Sequence, residues 1–360
     1  MQFAIMFDTH VDKWELIRYV EELGYDRAYV PDSEMIWSDC YATLALAAAN
    51  TKRIQIGTGI AAAGVRIAPV TAHSIATINQ LAPGRVFLGI GTGNTSMRMM
   101  GQNPTPVTEL REYMRVVRKL LDGEEVDYTY RGKTRRIQFI HRDRHYINLD
   151  NRIPIYMAAL LPKALELAGE AADGWITVAT DPARIGEQWK HIRAGAHNAG
   201  RTIPVDFHTT FVTAGCVLRP GERLSDDRVI NETGSQVACD LHETYEIWLL
   251  SGRKDEVIPP WFADIFHDYV KRVDNYSLPP EARFRQIHNG HCTFLQPEER
   301  RFITPAAIAE LTFTGEPGAI IERLRKMERA GLKEVILLQA ADYQRKVYRD
   351  FAEMIIPAFR

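Results

Sequence analysis

Asp32 follows the apolar run Tyr25–Val30, and Trp37 comes five residues later. A carboxylate at the end of a buried run can hydrogen-bond a polar ligand group, and an indole can wall a flat ring. The alternatives are a turn-forming aspartate, which is the weaker reading of Asp32, and ordinary loop packing of Trp37, which sequence does not separate from a ring wall. Two glycine-rich stretches also follow apolar runs: Gly57-Thr58-Gly59-Ile60 and Gly89-Ile90-Gly91-Thr92-Gly93-Asn94. Glycine lets a planar ring or a phosphate approach the main chain, although tight turns call for it as well. Turn formation accounts for Gly57 and Gly91 as well as a ligand does, whereas Gly59 and Gly93 stand where a ligand would rest. A fourth place is Ala158-Ala159-Leu160-Leu161, just before Pro162. Proline suits the first turn of a helix, and the free N–H groups of that turn suit a phosphate.

The histidines are weaker signals. His288-Asn-Gly-His291, with Glu298 nearby, sits in loop-like sequence without the i, i+4 spacing of a helical metal site, so no metal is expected. His291 is instead offered as a substrate-facing group. His73 falls inside a helix, as packing, and His208 lies within a strand and can face either side. Cys40, Cys216, Cys239 and Cys292 are far apart in the chain and form no CxxC, which points to free thiols in a reduced, cytoplasmic setting. There is no GxSxG, Walker loop or HExxH, so covalent hydrolysis and nucleotide hydrolysis have no support.

Regular elements must bring these residues together. Continuous apolar, β-rich runs begin at residues 3, 25, 54, 86, 155, 175, 205 and 335, the seventh read as one strand over Val205–Val217. Continuous runs suit strands covered on both faces. Helical spacing fills the intervals. Asp12 is expected to cap the first helix, with Trp14, Ile17, Val20 and Leu23 on one face and Gly24 at its end. Pro69, Pro162 and Pro317 mark later helix starts. A βα unit takes roughly 30 residues in an eight-fold barrel. Five of the seven intervals fit, and the longer two mark insertions. The expected fold is α/β, a (β/α)8 TIM barrel with two insertions, in one domain over residues 1–360. The insertions fall at about 123–150, a hairpin, and about 220–304, a helical segment with helices at Leu241–Leu250 and Trp261–Val273. A doubly wound open sheet is the alternative, weakened by the count of eight and the missing GxGxxG after the first strand.

Composition bounds the partners. The chain has 360 residues, with 44 Lys+Arg against 46 Asp+Glu, so it offers no field for sequence-independent nucleic-acid binding. No run reaches the roughly 18 apolar residues that span a bilayer, so no membrane partner is expected. The N-terminus reads as a buried strand and not as a signal peptide. Six Lys/Arg within residues 131–144 read as a solvated hairpin or as a cationic rim for an anionic ligand tail.

Several segments resemble the bacterial luciferase-like oxidoreductases: EELGYDRAYVPDS at the second strand, IQIGTGI and RIAPVTAHSIATINQLAPGRVFLGIGTGN across the third and fourth, PIYMAALLPKALELAGEAADGWI across the fifth and sixth, and TGEPGAIIERLRKMERAGLKEVILL at the end. The resemblance implies a flavin or the deazaflavin coenzyme F420 in the barrel mouth, and is closer to the deazaflavin-dependent reductases and dehydrogenases. By resemblance, Asp32, Gly59, Ile60, Gly91, Thr92, Gly93, Asn94, Ala158, Ala159 and Leu160 bind the cofactor. Gly59-Ile60 falls where the family carries a non-prolyl cis peptide behind the central ring. Asn94, Trp37 and His291 are the catalytic candidates. Two departures stand out. Ser33 and Asn94 replace a histidine and a glutamate of the sugar-phosphate dehydrogenases, and an amide cannot donate a catalytic proton. Leu160-Leu161 also narrows the phosphate site.

The resulting expectation is hydride transfer between F420 and a small organic substrate, by a homodimer. The alternatives are an FMNH2-dependent monooxygenase fed by a separate flavin reductase, which would consume oxygen, and a non-catalytic flavin-binding barrel.

Overall fold

The computed structural model describes every residue except Ala179. Eight parallel strands carry the architecture: β1 (Gln2–Met6), β2 (Arg27–Val30), β3 (Gln55–Thr58), β4 (Val86–Gly91), β5 (Ile155–Ala158), β6 (Gly174–Thr177), β7 (His208–Thr213) and β8 (Glu334–Leu338). They pair in the order β3-β2-β1-β8-β7-β6-β5-β4, and β4 returns to β3, so the ring closes. With helices between the strands this is the expected (β/α)8 barrel. The strands are buried almost throughout because helices cover one face and barrel side chains fill the other.

The residues fall into two compact units, one of 2–211 with 330–335, the other of 1, 212–329 and 336–360. In the first, the ladders run in register from Ala4 opposite Arg27 to Phe211 opposite Thr177. Around Glu334, at the start of β8, is a buried polar knot. Arg27 Nη1 donates to Oε2 at 2.6 Å, the Tyr29 hydroxyl to Oε1 at 2.7 Å, and His208 Nε2 lies 3.1 Å from Oε1. The Arg27 guanidinium and His208 overcome burial and hold the Glu334 carboxyl down at about 2.

The helices of this unit follow their sequences. Val107–Leu121 turns Leu110, Met114, Val117 and Leu120 inward, with Glu109 in its first turn and Arg118 and Lys119 in its last, as the helix dipole favours. Asp181 caps Pro182–Asn198 by accepting from Ala183 and Arg184 N–H. Asp12 does not cap the first helix. It sits in a 3-10 turn, Val11–Lys13, and pairs with His10, while the α-helix begins at Glu15 without a side-chain cap. His73 is exposed and not part of the core, its ring meeting only Phe139 at 6.4 Å among the ring contacts of the described residues. Val126–Tyr130 and Lys133–Ile137 form an exposed hairpin whose turn, Arg131-Gly132, has positive φ at both residues.

In the second unit, Asp227–Leu250 is one helix of 24 residues, starting well before Leu241. The helical segment read as Trp261–Val273 is a 3-10 turn at Pro260–Phe262 followed by a helix at Phe266–Asp274. Trp248, Phe262, Phe266, Tyr269 and Phe302 form much of its core. The run Val205–Val217 is not one strand. After β7, Gly215–Val217 pairs with Phe313–Gly315 in a separate small sheet. A Cβ at Gly215 would lie 2.4 Å from the Phe351 ring, so the chain needs glycine where it leaves the barrel ladder.

Candidate active site at the strand C-termini

In the first unit, the C-terminal ends of β1 to β6 carry the loops where barrel chemistry is placed. Thr9 Oγ1 donates to Pro31 O at 2.7 Å and Ser38 N–H to Thr9 O at 2.9 Å, tying the loop after β2 to the end of β1. The loop turns on itself through the Trp37 N–H to Ser33 O bond of 3.0 Å. This places Asp32 in the interior and leaves Trp37 half-buried.

Asp32 does not stand as a free carboxylate. Arg66, from the segment after β3, donates through Nη1 to Asp32 Oδ2 and to Glu34 Oε1, and through Nη2 to Asp39 Oδ2 at 3.0 Å. Its guanidinium also lies 4.8 Å from the Tyr41 ring centre. One cation therefore serves three carboxylates. The balance falls on Glu34, whose carboxyl is pushed up to about 7 by burial and then by the neighbouring Asp32 charge. Glu34 Oε2 is buried with no hydrogen-bond partner among the described residues. A carboxyl that titrates near neutrality in a loop of this kind can give or take a proton. Sequence reading gave Glu34 no role and passed over Arg66. The available signal was the acidic triple Asp32, Glu34 and Asp39 facing a lone arginine 27 to 34 residues on.

The structure gathers several predicted residues across β3, β4 and β5. The Gly59–Ile60 peptide is cis, where the family resemblance places one. A Cβ on Gly91 would lie 2.3 Å from Ile60 Cδ1 and 3.4 Å from Ala158 Cβ, so Gly91, Ile60 and Ala158 meet. Gly93 has φ +76, and a Cβ there would strike Ala62 Cβ at 2.6 Å. Glycine at 91 and 93 thus answers to close packing and to a left-handed turn. Thr92 O accepts from Thr105 N–H at 2.9 Å. Asn94 is exposed and its Oδ1 accepts from Arg98 Nε at 2.9 Å, which leaves its amide N–H groups as the donors on offer. After β5, Ala159 O accepts from Trp175 Nε1 at 2.9 Å, and the helix Pro162–Ala171 begins without a side-chain cap. Its first-turn N–H groups can receive an anion. His291 belongs to the second unit, where its Nδ1 lies 3.3 Å from Cys239 Sγ.

A cavity of about 290 Å³ lined by Arg152, Tyr156, Asp173, Arg201 and Asp206 lies at the N-terminal ends of β5 and β6, the end that barrels use for stability.

Known proteins align with this framework. The chain is 31% identical to a 5,10-methylenetetrahydromethanopterin reductase of Archaeoglobus fulgidus over 93% of its own length and 92% of the relative's. It is 37% identical to the protein of the same name from Methanolobus tindarius over 56% of this chain, and spans 61% of that relative's length. Among solved structures, the coenzyme F420-dependent tetrahydromethanopterin reductase of Methanopyrus kandleri superposes with a TM-score of 0.76, covering 100% of this chain and 99% of that one at 21% identity, which speaks to the fold. Residues 12–334 match the family model described as luciferase-like monooxygenase, and the chain belongs to the luciferase-like family.

Proposed function

We propose that this chain is an F420-dependent oxidoreductase acting on a small organic substrate. The carrying observation is the near full-length alignment with a 5,10-methylenetetrahydromethanopterin reductase. The residues fit such a cofactor: small side chains at Ala158 and Ala159, close-packed main chain at Gly59-Ile60 and Gly91-Thr92-Gly93, and an uncapped helix start after Leu160 and Leu161. Bound F420 would supply the hydride acceptor or donor.

The chain's own groups bind, orient and handle the proton. Main chain at Gly59, Ile60, Gly91, Thr92 and Gly93 forms the seat for a flat ring. The first turn of Pro162–Ala171 receives the cofactor's anionic tail. Trp37 walls the pocket and the Asn94 amide orients a carbonyl or ring oxygen. Arg66 holds Asp32 and Glu34 in place, and Glu34 holds the proton that accompanies reduction. With Cys239 on Nδ1 of His291, the reading assigns no proton transfer to that imidazole.

Ser33 and Asn94 disfavour a sugar phosphate, so a one-carbon-carrying pterin of the kind named in the matched reductases is the first substrate to test. Homodimeric assembly rests on family resemblance alone, a cytoplasmic location on the scattered cysteines and the N-terminal sequence, and a single functional domain with insertions at about 123–150 and 220–304 on the strand intervals. The second reading, an FMNH2-dependent monooxygenase supplied by a flavin reductase, follows from the matched family's description. Titrating the purified protein with F420 and with FMN, while following ring fluorescence, separates the two. Tight F420 binding with weak FMN binding is expected. Preferential FMN binding, with oxygen uptake when a flavin reductase is added, would replace the first reading by the second.

A further inference from the structure

The second unit contains a thiol–imidazole cluster that the proposed redox chemistry does not use. Cys239 lies on the helix Asp227–Leu250, while His291 and Cys292 lie in the turn that follows Phe284–Ile287. Cys239 Sγ is 3.2 Å from Cys292 Sγ and 3.3 Å from His291 Nδ1, and the three donor atoms lie within 4.8 Å of one another. Cysteines 53 residues apart in sequence are therefore neighbours. The turn bends sharply, with φ +85 at Gly290 and +51 at Cys292, and this lets the adjacent His291 and Cys292 face the same helix.

We propose that Cys239, His291 and Cys292 form a Cys2His site for zinc, with water in the fourth position. Two thiolates and an imidazole are the soft and borderline donors zinc selects. Tetrahedral zinc, at about 2.3 Å from sulfur and about 2.0 Å from nitrogen, sets its sulfurs roughly 3.8 Å apart and sulfur from nitrogen roughly 3.5 Å. The Cys239 contacts lie within about half an ångström of that arrangement, inside the reach of a small χ1 rotation. Zinc binding would release both thiol protons, and two thiolates plus Zn²⁺ sum to zero, which suits a partly buried position.

The cluster lies among further polar groups of the same helix and turn. The Cys292 N–H donates to Cys239 Sγ at 3.1 Å, which fixes the two cysteines side by side. His242 and Glu246 follow Cys239 at i+3 and i+7, on the same helix face. Glu246 Oε1 lies 2.8 Å from His288 Nε2, and Glu299 Oε1 lies 2.9 Å from His242 Nε2. The Nδ1 atoms of His242 and His288 are buried and have no hydrogen-bond partner among the described residues. Unsatisfied buried nitrogens mark places where an ion or its waters complete a network. Cys239 and His291 retain partial exposure, which provides an entry path.

The test uses the full chain, reduced, stripped with a chelator and reloaded with zinc or Co²⁺. One zinc per chain is expected, as is thiolate-to-Co²⁺ charge-transfer absorption. Zinc should slow alkylation of Cys239 and Cys292 and leave the fully buried Cys40 and Cys216 unchanged as internal controls. C239S, C292S and H291A should each weaken zinc on the order of tenfold or more. Thermal melts of the metal-free variants show that they fold. The proposal is overturned if the reduced wild-type chain takes up no stoichiometric zinc, if C239S/C292S retains it, or if a Cys239–Cys292 disulfide forms in zinc-loaded protein. Because F420 binding is not the readout, this result stands apart from the cofactor reading.

Discussion

Asp32 and Glu34 accept hydrogen bonds from the same nitrogen, Nη1 of Arg66. Burial, and then the neighbouring Asp32 charge, push the Glu34 carboxyl up to about 7 even with Arg66 beside it. The first prediction follows. In the direction that consumes a proton, kcat/KM should fall as pH rises through about 7. Glu34→Gln should lose about 100-fold and abolish that limb. Asp32→Asn removes the neighbouring negative charge and should move the limb to lower pH. A Glu34→Gln enzyme with the wild-type pH profile would remove Glu34 from the chemistry.

The Glu334 knot gives a stability prediction of opposite sign. A carboxyl held at about 2 in the folded chain binds fewer protons than the unfolded chain, whose ordinary value is 4.5. Its contribution is therefore present above about 4.5 and fades as pH falls through about 2. Glu334→Gln leaves Arg27 buried without its charge partner and should cost about 3–5 kcal/mol at neutral pH. Urea melts at neutral and acidic pH check this, since the gap between wild type and variant must shrink on acidification.

Close packing at the β3–β4 contact can be tested by compensation. Gly91→Ala should destabilise by about 1–3 kcal/mol, because its Cβ meets Ile60 Cδ1 at 2.3 Å. Ile60→Val deletes that atom and should recover most of the loss in the double variant. Additive losses in the melting of the two single variants and the pair would refute the contact.

The helix Pro162–Ala171 offers a trade. Leu161 is exposed, extended and in the N-cap position without a side-chain cap. Leu161→Asp supplies the missing acceptor and should stabilise the fold by about 0.5–2 kcal/mol. The same carboxylate would occupy the N–H groups assigned to the cofactor's anionic tail and should weaken F420 binding about tenfold. Unchanged affinity in a stabilised variant would move the tail elsewhere.

The barrel was legible because its strands are continuous apolar runs, most of them at a regular interval, and the two glycine-rich turns because glycines cluster behind two of them. Other features were hidden for identifiable reasons. Within Val205–Val217 only Gly215 hints at the break, and the Phe351 ring that requires glycine there lies far along the chain. Asp12 has the right type for a cap, but His10 competes for its carboxylate. Arg66 stands in irregular chain, where periodicity says nothing about its partners. Cys239 and Cys292 approach only because a helix and a distant turn are folded together.

Arg66 also receives the Tyr113 hydroxyl on its carbonyl oxygen at 2.8 Å, and Tyr113 in turn meets Thr71 at 2.6 Å. The segment after β3 is thereby riveted on one side to the acidic loop after β2 and on the other to two outer helices. Anyone redesigning substrate choice here would find that neither loop can be exchanged alone. A graft that carries the acidic loop without its arginine strands three carboxyl groups, and one that carries the arginine without the loop strands a cation, so the two stretches must be exchanged as a single module.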